Sequence, residues 1–296
     1  MKRSYLLATV AIFCWSTVAT VVKLLLGSLT SMQVLWISAG FAFLALLCVN
    51  IFTGNIKKLR DYKPRDYIIT VLIGLPGSFL YYVFYYMGTA RMLASQAFII
   101  NYLWPIMSVV FACIILKEKM TARRAVAIAL SFVGVVIVAG KDIIHFNPDT
   151  LIGALFCILG AVSYGIFTSF NQKYRYDKRL SMMFNYLVSF LLTGTVNIAT
   201  GNIHSIEPVQ LLGFAWNGIF TMALANTAWM TALESGKTAK ISNLAYITPF
   251  LSLMWTAVFL KEEISIFSVL GLAVIVVGIL IQLKDKNENI RDIAEK

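Results

Sequence analysis

Few side chains in this sequence can do chemistry, and those few are rings, amides and hydroxyls set inside long apolar runs. In the run 94–116, Asn101, Trp104, Pro105 and Ser108 recur at i, i+3, i+4 and i+7, one face of a helix. The run 239–260 repeats the pattern with Ser242, Tyr246, Pro249, Ser252 and Leu253. Trp15, Ser16 and Thr20 stand in the first run, Tyr81, Tyr82, Tyr85 and Tyr86 in the third, Tyr164 and Thr168 in the sixth, and Asn226 and Trp229 in the eighth. Tyr102 adjoins Asn101. Such a set can stack a planar ring and hydrogen-bond polar groups without offering a fixed charge. Polar groups are costly against lipid, so these are expected to face the interior of a bundle or a cavity. Pro105 removes a backbone donor and is expected to bend its helix, freeing the carbonyl one turn back; Pro249 occupies the same place in its own run.

Blander roles compete for several of these residues. The four tyrosines lie toward one end of the third run, where an aromatic belt is equally expected. Ser16, Thr20 and Ser252 can bond their own backbone. Trp36, Trp216 and Trp255 read as interface or packing residues. Lys23, the only charge inside a run, either snorkels to the nearer interface or meets a substrate carboxylate. Glu118 and Glu262 each follow a lysine at a helix end and are expected to serve as a gate, as interfacial ion pairs or caps.

The missing residues narrow the chemistry further. No Asp or Glu lies near the middle of any run, so the sequence offers no basis for a proton or sodium relay. His145 and His204 fall between runs, and no Gly-x-Ser-x-Gly or His-Glu-x-x-His occurs, so no catalytic set is assembled. Cys14, Cys48, Cys113 and Cys157 lack metal-ligand spacing and read as packing residues; no metal and no cofactor is expected. There is no phosphate-binding loop, which excludes direct use of ATP. A cavity poor in Lys and Arg also argues against nucleotides as substrates.

These residues need elements to hold them, and the composition says which. Of 296 residues, 59% are hydrophobic and only 13% charged, with a mean hydropathy of +0.79. Soluble chains carry about 25% charged residues, so this sequence cannot cover a water-facing surface. Apolar runs fall at about 5–26, 31–53, 66–89, 94–116, 123–140, 151–171, 181–200, 210–233, 239–260 and 265–283. Each approaches the roughly 20 residues a membrane helix needs. The first is too long for a signal peptide and is expected to be retained. If the N-terminus is cytoplasmic, twenty-one Lys and Arg lie on the inner side and three on the outer, a strong positive-inside bias that puts both termini in the cytoplasm. The net charge of +11 therefore reports topology rather than a nucleic-acid partner. The partner is the lipid bilayer.

The chain also repeats itself at a shift of 144 positions. Tyr102 meets Tyr246, Pro105 meets Pro249, Leu116-Lys117-Glu118 meets Leu260-Lys261-Glu262, and Gly134 meets Gly278. Five spans per repeat turn the second copy upside down, the architecture of secondary transporters. The expected fold is an all-α membrane protein of ten transmembrane helices in two inverted five-helix repeats. Residues 1–140 form the first repeat, 141–149 a short outer linker, 150–284 the second repeat and 285–296 a cytoplasmic polar tail.

On Trp15-Ser16, Tyr81-Tyr82, Tyr85-Tyr86-Met87-Gly88 and Pro105…Leu116-Lys117-Glu118, with their echo in the second half, the sequence resembles the EamA-type ten-helix transporters of the drug/metabolite transporter superfamily. Asn101-Tyr102-Leu103-Trp104-Pro105, Ala228-Trp229 and Tyr246-x-Thr248-Pro249 are similar to the YddG group of aromatic amino-acid exporters. The resemblance covers essentially the whole chain. It implies export of a small molecule across the cytoplasmic membrane, and it turns Tyr82 and Tyr85 toward the cavity. The expected function is alternating-access export of small, largely neutral metabolites, aromatic or hydrophobic amino acids foremost. Efflux of drugs or cationic amphiphiles through the same rings is the alternative; a polytopic enzyme ranks below both. One chain supplies both halves of the pathway and is expected to suffice as a monomer.

Overall fold

The computed structural model describes residues 2–139, 147–174, 176–233, 241 and 244–294, with side chains described for 3–282 of these. Ten apolar helices run through the described residues. They are α1 (Arg3–Leu25), α2 (Ser31–Phe52), α3 (Pro64–Arg91), α4 (Ala94–Ile115), α5 (Ala122–Val138), α6 (Pro148–Lys173), α7 (Lys178–Thr200), α8 (Pro208–Leu233), α9 (Ala245–Leu260) and α10 (Ile266–Ala294). Seven are long and apolar enough to cross a bilayer unaided. The exceptions are α5, α9 and α10, whose apolar part is Ile266–Gln282. The 17 residues of α5 still rise about 26 Å.

Local chemistry sets the helix boundaries. The hydroxyls of Thr30 and Thr121 accept from the backbone N–H groups of Gln33 and Arg124 at 3.1 and 3.2 Å, capping α2 and α5. Asp177 accepts from Arg179 and Leu180 N–H at the start of α7, both at 3.1 Å. Pro64, Pro148 and Pro208 sit in first turns, where a missing N–H costs nothing. Gly201, in the left-handed region at φ 66°, ends α7.

Packing follows an in-plane pseudo-two-fold axis. The pairs α3–α6 and α4–α6 are mirrored by α8–α1 and α9–α1, and α3–α7 by α8–α2. The pairs α2–α7, α4–α9 and α5–α10 cross the axis and map onto themselves. At the α5–α10 crossing, a Cβ on Gly134 would sit 2.7 Å from the Gly271 carbonyl and one on Gly271 2.6 Å from the Gly134 carbonyl, so the two backbones touch. Lys117 and Lys261, one period apart, both adopt positive φ, 58° and 56°. The first half of α4, Ala94–Asn101, is buried along its whole length at the centre. Leu44, Ile114, Val133, Ile198, Val258 and Phe259 are exposed on the outside, a surface suited to lipid rather than water.

Candidate functional site

Among the described residues, irregular turns interrupt α3, α4 and α8, open α9, and break α1 at Thr17. In α3 a π-helical stretch, Leu75–Leu80, precedes the tyrosine run, and α8 has its counterpart at Trp216–Leu224. Such turns mark functional sites in many helical proteins. The α4 helix breaks at Tyr102–Leu103, and α9 opens with a 3-10 turn, Ala245–Ile247. Both breaks lie just before a proline, Pro105 or Pro249.

The turn after Leu80 brings the tyrosines of α3 against α4, α6 and α7. Tyr81 packs on Tyr82 at 4.8 Å between ring centroids and on Tyr164 at 5.0 Å. Tyr164 in turn meets Trp104 edge-on at 5.2 Å, and Phe167 at 5.5 Å. Amides and hydroxyls tie the rings together. Asn101 Nδ2 donates to Tyr81 Oη at 2.8 Å, and the hydroxyls of Tyr82 and Tyr186 lie 3.4 Å apart. Asn226 Nδ2 reaches Tyr186 Oη at 3.5 Å and the Met222 carbonyl at 2.7 Å. Asn217, fully buried in the π-helical turn of α8, donates to Tyr86 Oη at 2.7 Å and Ser38 Oγ at 3.0 Å. Thr168 donates to Ser108 at 2.8 Å. Among the described residues, no charged side chain is a ring or hydrogen-bond partner of this cluster.

The sequence-derived residues distribute unevenly around it. Tyr82, Trp104, Tyr164, Asn226, Trp229, Trp15 and Tyr246 are half-buried. Trp15 and Trp229 pair with each other at 5.2 Å, one turn of α8 beyond Asn226. Ser16, Tyr85 and Tyr102 are buried. Ser16 Oγ donates to the Phe13 carbonyl and accepts from Trp255 Nε1 at 2.9 Å; Trp216 Nε1 donates to Thr17 in the same way at 2.8 Å. The two indoles read as packing residues thus fasten the interruption of α1 at Thr17. Ser242 lies outside the described residues. Tyr81, which the sequence leaves open between belt and cavity, completes the network with Tyr186 and Asn217, which it does not single out. A signal existed for Tyr81 in its run, whereas Tyr186 and Asn217 stand in helices rich in Ser, Thr and Asn.

The charged candidates sit at the bundle ends, with different partners among the described residues. Glu118 pairs with Arg124 at 2.9 Å. Glu262 instead accepts the backbone N–H groups of Ala94 and Ser95 at 2.7 and 3.0 Å, capping α4. Beside it Lys23 turns inward, donating to the Thr89 and Met92 carbonyls at the end of α3, at 2.8 and 2.6 Å. A cation on a helix C-terminus and an anion on the next N-terminus both complement their dipoles. Among the described residues, no cluster of three or more His, Cys, Asp or Glu is placed to hold a metal.

An inverted five-plus-five bundle with a central aromatic–amide cluster defines a multi-pass membrane transporter. The chain belongs to the EamA-like transporter family, whose profile matches residues 2–140 and again 151–283. Its similarity to individual relatives is low but long. It is 23% identical to the uncharacterized transporter YyaM of Bacillus subtilis over 81% of this chain and 80% of that one. An uncharacterized transporter of Archaeoglobus fulgidus is 22% identical over 97% and 100%. The aromatic amino acid exporter YddG of Salmonella typhimurium is 21% identical over 95% and 96%. A crystal structure with 18% identity aligns over 94% of this chain and 97% of its own with a TM-score of 0.67, which shows a shared fold.

Proposed function

We propose that this transporter exports small, largely neutral organic molecules, aromatic or hydrophobic amino acids foremost, across the cytoplasmic membrane by alternating access. The observation that carries the reading is the Tyr81–Tyr164–Trp104 ring cluster, joined to Asn101 and Asn226 from opposite halves of the chain. Rings and amides without ionised side chains suit a planar side chain better than a phosphate or a metal ion. The similarity to an exporter named for aromatic amino acids points the same way. In this reading both termini are cytoplasmic, residues 1–140 and 150–284 move as the two halves, and 141–149 links them outside. Glu262 and Lys23 close the outer end. Glu118 is their counterpart at the inner one.

The test is efflux from proteoliposomes loaded with labelled phenylalanine, tryptophan, glutamate and lysine. Selective release of the two aromatic species is the expected result, and Trp104→Ala should abolish it while the protein remains folded. Equal release of all four, or of none, would overturn the substrate assignment.

A further inference from the structure

The ring cluster holds more hydrogen-bond donors than it uses. Tyr82 and Tyr186 bring two phenol protons to one contact, 3.4 Å between their oxygens, and neither has another acceptor among the described residues. Asn226 Nδ2 spends its protons on Tyr186 Oη and the Met222 carbonyl. One phenol proton of the pair is therefore spare, whichever hydroxyl donates. Tyr81 Oη accepts from Asn101 Nδ2 and gives its own proton to no described residue. The Tyr164 hydroxyl and the Trp104 indole N–H make no hydrogen bond among the described residues, and both atoms are accessible, unlike the Tyr85 hydroxyl, which is buried without a partner. By contrast the Trp216 and Trp255 indoles and the Tyr102 hydroxyl, at helix crossings, each have an acceptor. The rings with spare protons form one chain of contacts, Trp104–Tyr164–Tyr81–Tyr82, with centroids 5.2, 5.0 and 4.8 Å apart.

Acceptors are fewer, and none is charged. The Asn226 side-chain oxygen has no donor among the described residues. The Asn101 one also lacks a donor but is buried against α6, 3.4 Å from where a Cβ on Gly160 would lie. Ring faces can hold a cation, but here they meet neighbouring ring edges in the Tyr81–Tyr82, Tyr82–Tyr86 and Trp104–Tyr164 pairs.

We infer that this cluster recognises its substrate by a carboxylate and not by an ammonium, so that aromatic monocarboxylates are carried whether or not they bear an amino group. This deepens the export reading above and rests on it. Phenol and indole protons give a carboxylate charge-assisted bonds, and fixed neutral donors stabilise an anion where the dielectric is low. An ammonium buried beside them finds no anion to pair with. A monocarboxylate also carries one negative charge outward. An inside-negative potential then drives its export without a coupling ion, in keeping with spans that hold no Asp or Glu near their middle.

The experiment is equilibrium binding to the full-length protein in nanodiscs at neutral pH, with three probes: phenylalanine, 3-phenylpropionate (no ammonium) and phenethylamine (no carboxylate). Phenylalanine and phenylpropionate should both bind tighter than phenethylamine by about ten-fold or more, the worth of a hydrogen bond to a charged group. Tyr82→Phe and Tyr186→Phe each still leave one free phenol proton, so either alone should move phenylpropionate by less than about three-fold, while the double variant removes the spare proton and should weaken it by about ten-fold. Trp104→Phe, which keeps a ring and removes the N–H, should weaken phenylpropionate and leave phenethylamine unmoved. If phenethylamine binds as tightly as phenylpropionate, or phenylalanine binds and phenylpropionate does not, the carboxylate reading is overturned and the amino-acid reading stands. If neither phenylalanine nor phenylpropionate binds, both fall. The wild-type ranking decides this without any variant having to fold.

Discussion

Tyr81 separates the two jobs of its side chain. Replacing it by Phe keeps the ring on Tyr164 and removes the hydroxyl that accepts from Asn101 Nδ2. A buried amide donor is left without a partner, so Tyr81→Phe should cost about 1–3 kcal/mol, read as a lower melting temperature in detergent. Asp177 gives a second residue-scale test, outside the membrane spans. Burial pushes its carboxyl up, but the Lys58 ammonium at 2.6 Å, the Leu180 N–H and the Asn55 amide outweigh burial and hold it below the ordinary value. A carboxylate depressed in the folded state stabilises above its unfolded value of about 3.9, and that contribution is lost as pH falls through the lower folded one. The melting difference between wild type and Asp177→Asn should therefore be flat from neutral pH down to about 5 and shrink below about 4. At this scale the sequence shows Asn101, Trp104 and Tyr164 because a polar or ring residue in an apolar run stands out. It hides whether Ser16 faces a cleft or the Trp255 indole, which depends on how α1 and α9 cross.

The helices are legible in the sequence because each must be an unbroken apolar stretch, and nearly all the boundaries read from hydropathy agree with the caps to within a few residues. The π-helical turns of α3 and α8 are not, since Gly74, Pro76 and Gly77 signal an irregularity without naming its form. Close crossings show only as glycines. At Gly218 a Cβ would lie 2.4 Å from the Ser38 carbonyl, so Gly218→Ala forces α2 and α8 apart. Overpacking of this kind costs about 1–3 kcal/mol. Lower yield and a lower melting temperature are expected, whereas Gly54→Ala, with nothing within 4 Å, should show only the smaller strain of its positive φ.

For the molecule as a whole, the 144-residue period predicts the inverted repeat, and the helix pairs obey it. At the two repeat-related glutamates, Glu262 caps α4 and Glu118 holds Arg124. In the proposed cycle Glu262→Gln weakens the charge that clamps α4 and should shift the population toward an open outer end. Single cysteines placed at Thr89 or Ser95 would report this as at least about a five-fold faster reaction with a membrane-impermeant thiol reagent, the lower end of ordinary coupling energies. No change in labelling would remove Glu262 as a gate.

One consequence of the in-plane axis concerns handedness of insertion. Turned over in the bilayer, the bundle presents the same ten helices in the same arrangement. Its shape therefore carries almost no instruction about which way up it belongs. In the proposed orientation that instruction rests on twenty-four lysines and arginines in loops and at helix ends, weighted twenty-one to three. Moving enough of them to the opposite side should yield a protein that folds as before and faces the other way, so that the proposed exporter would work as an importer.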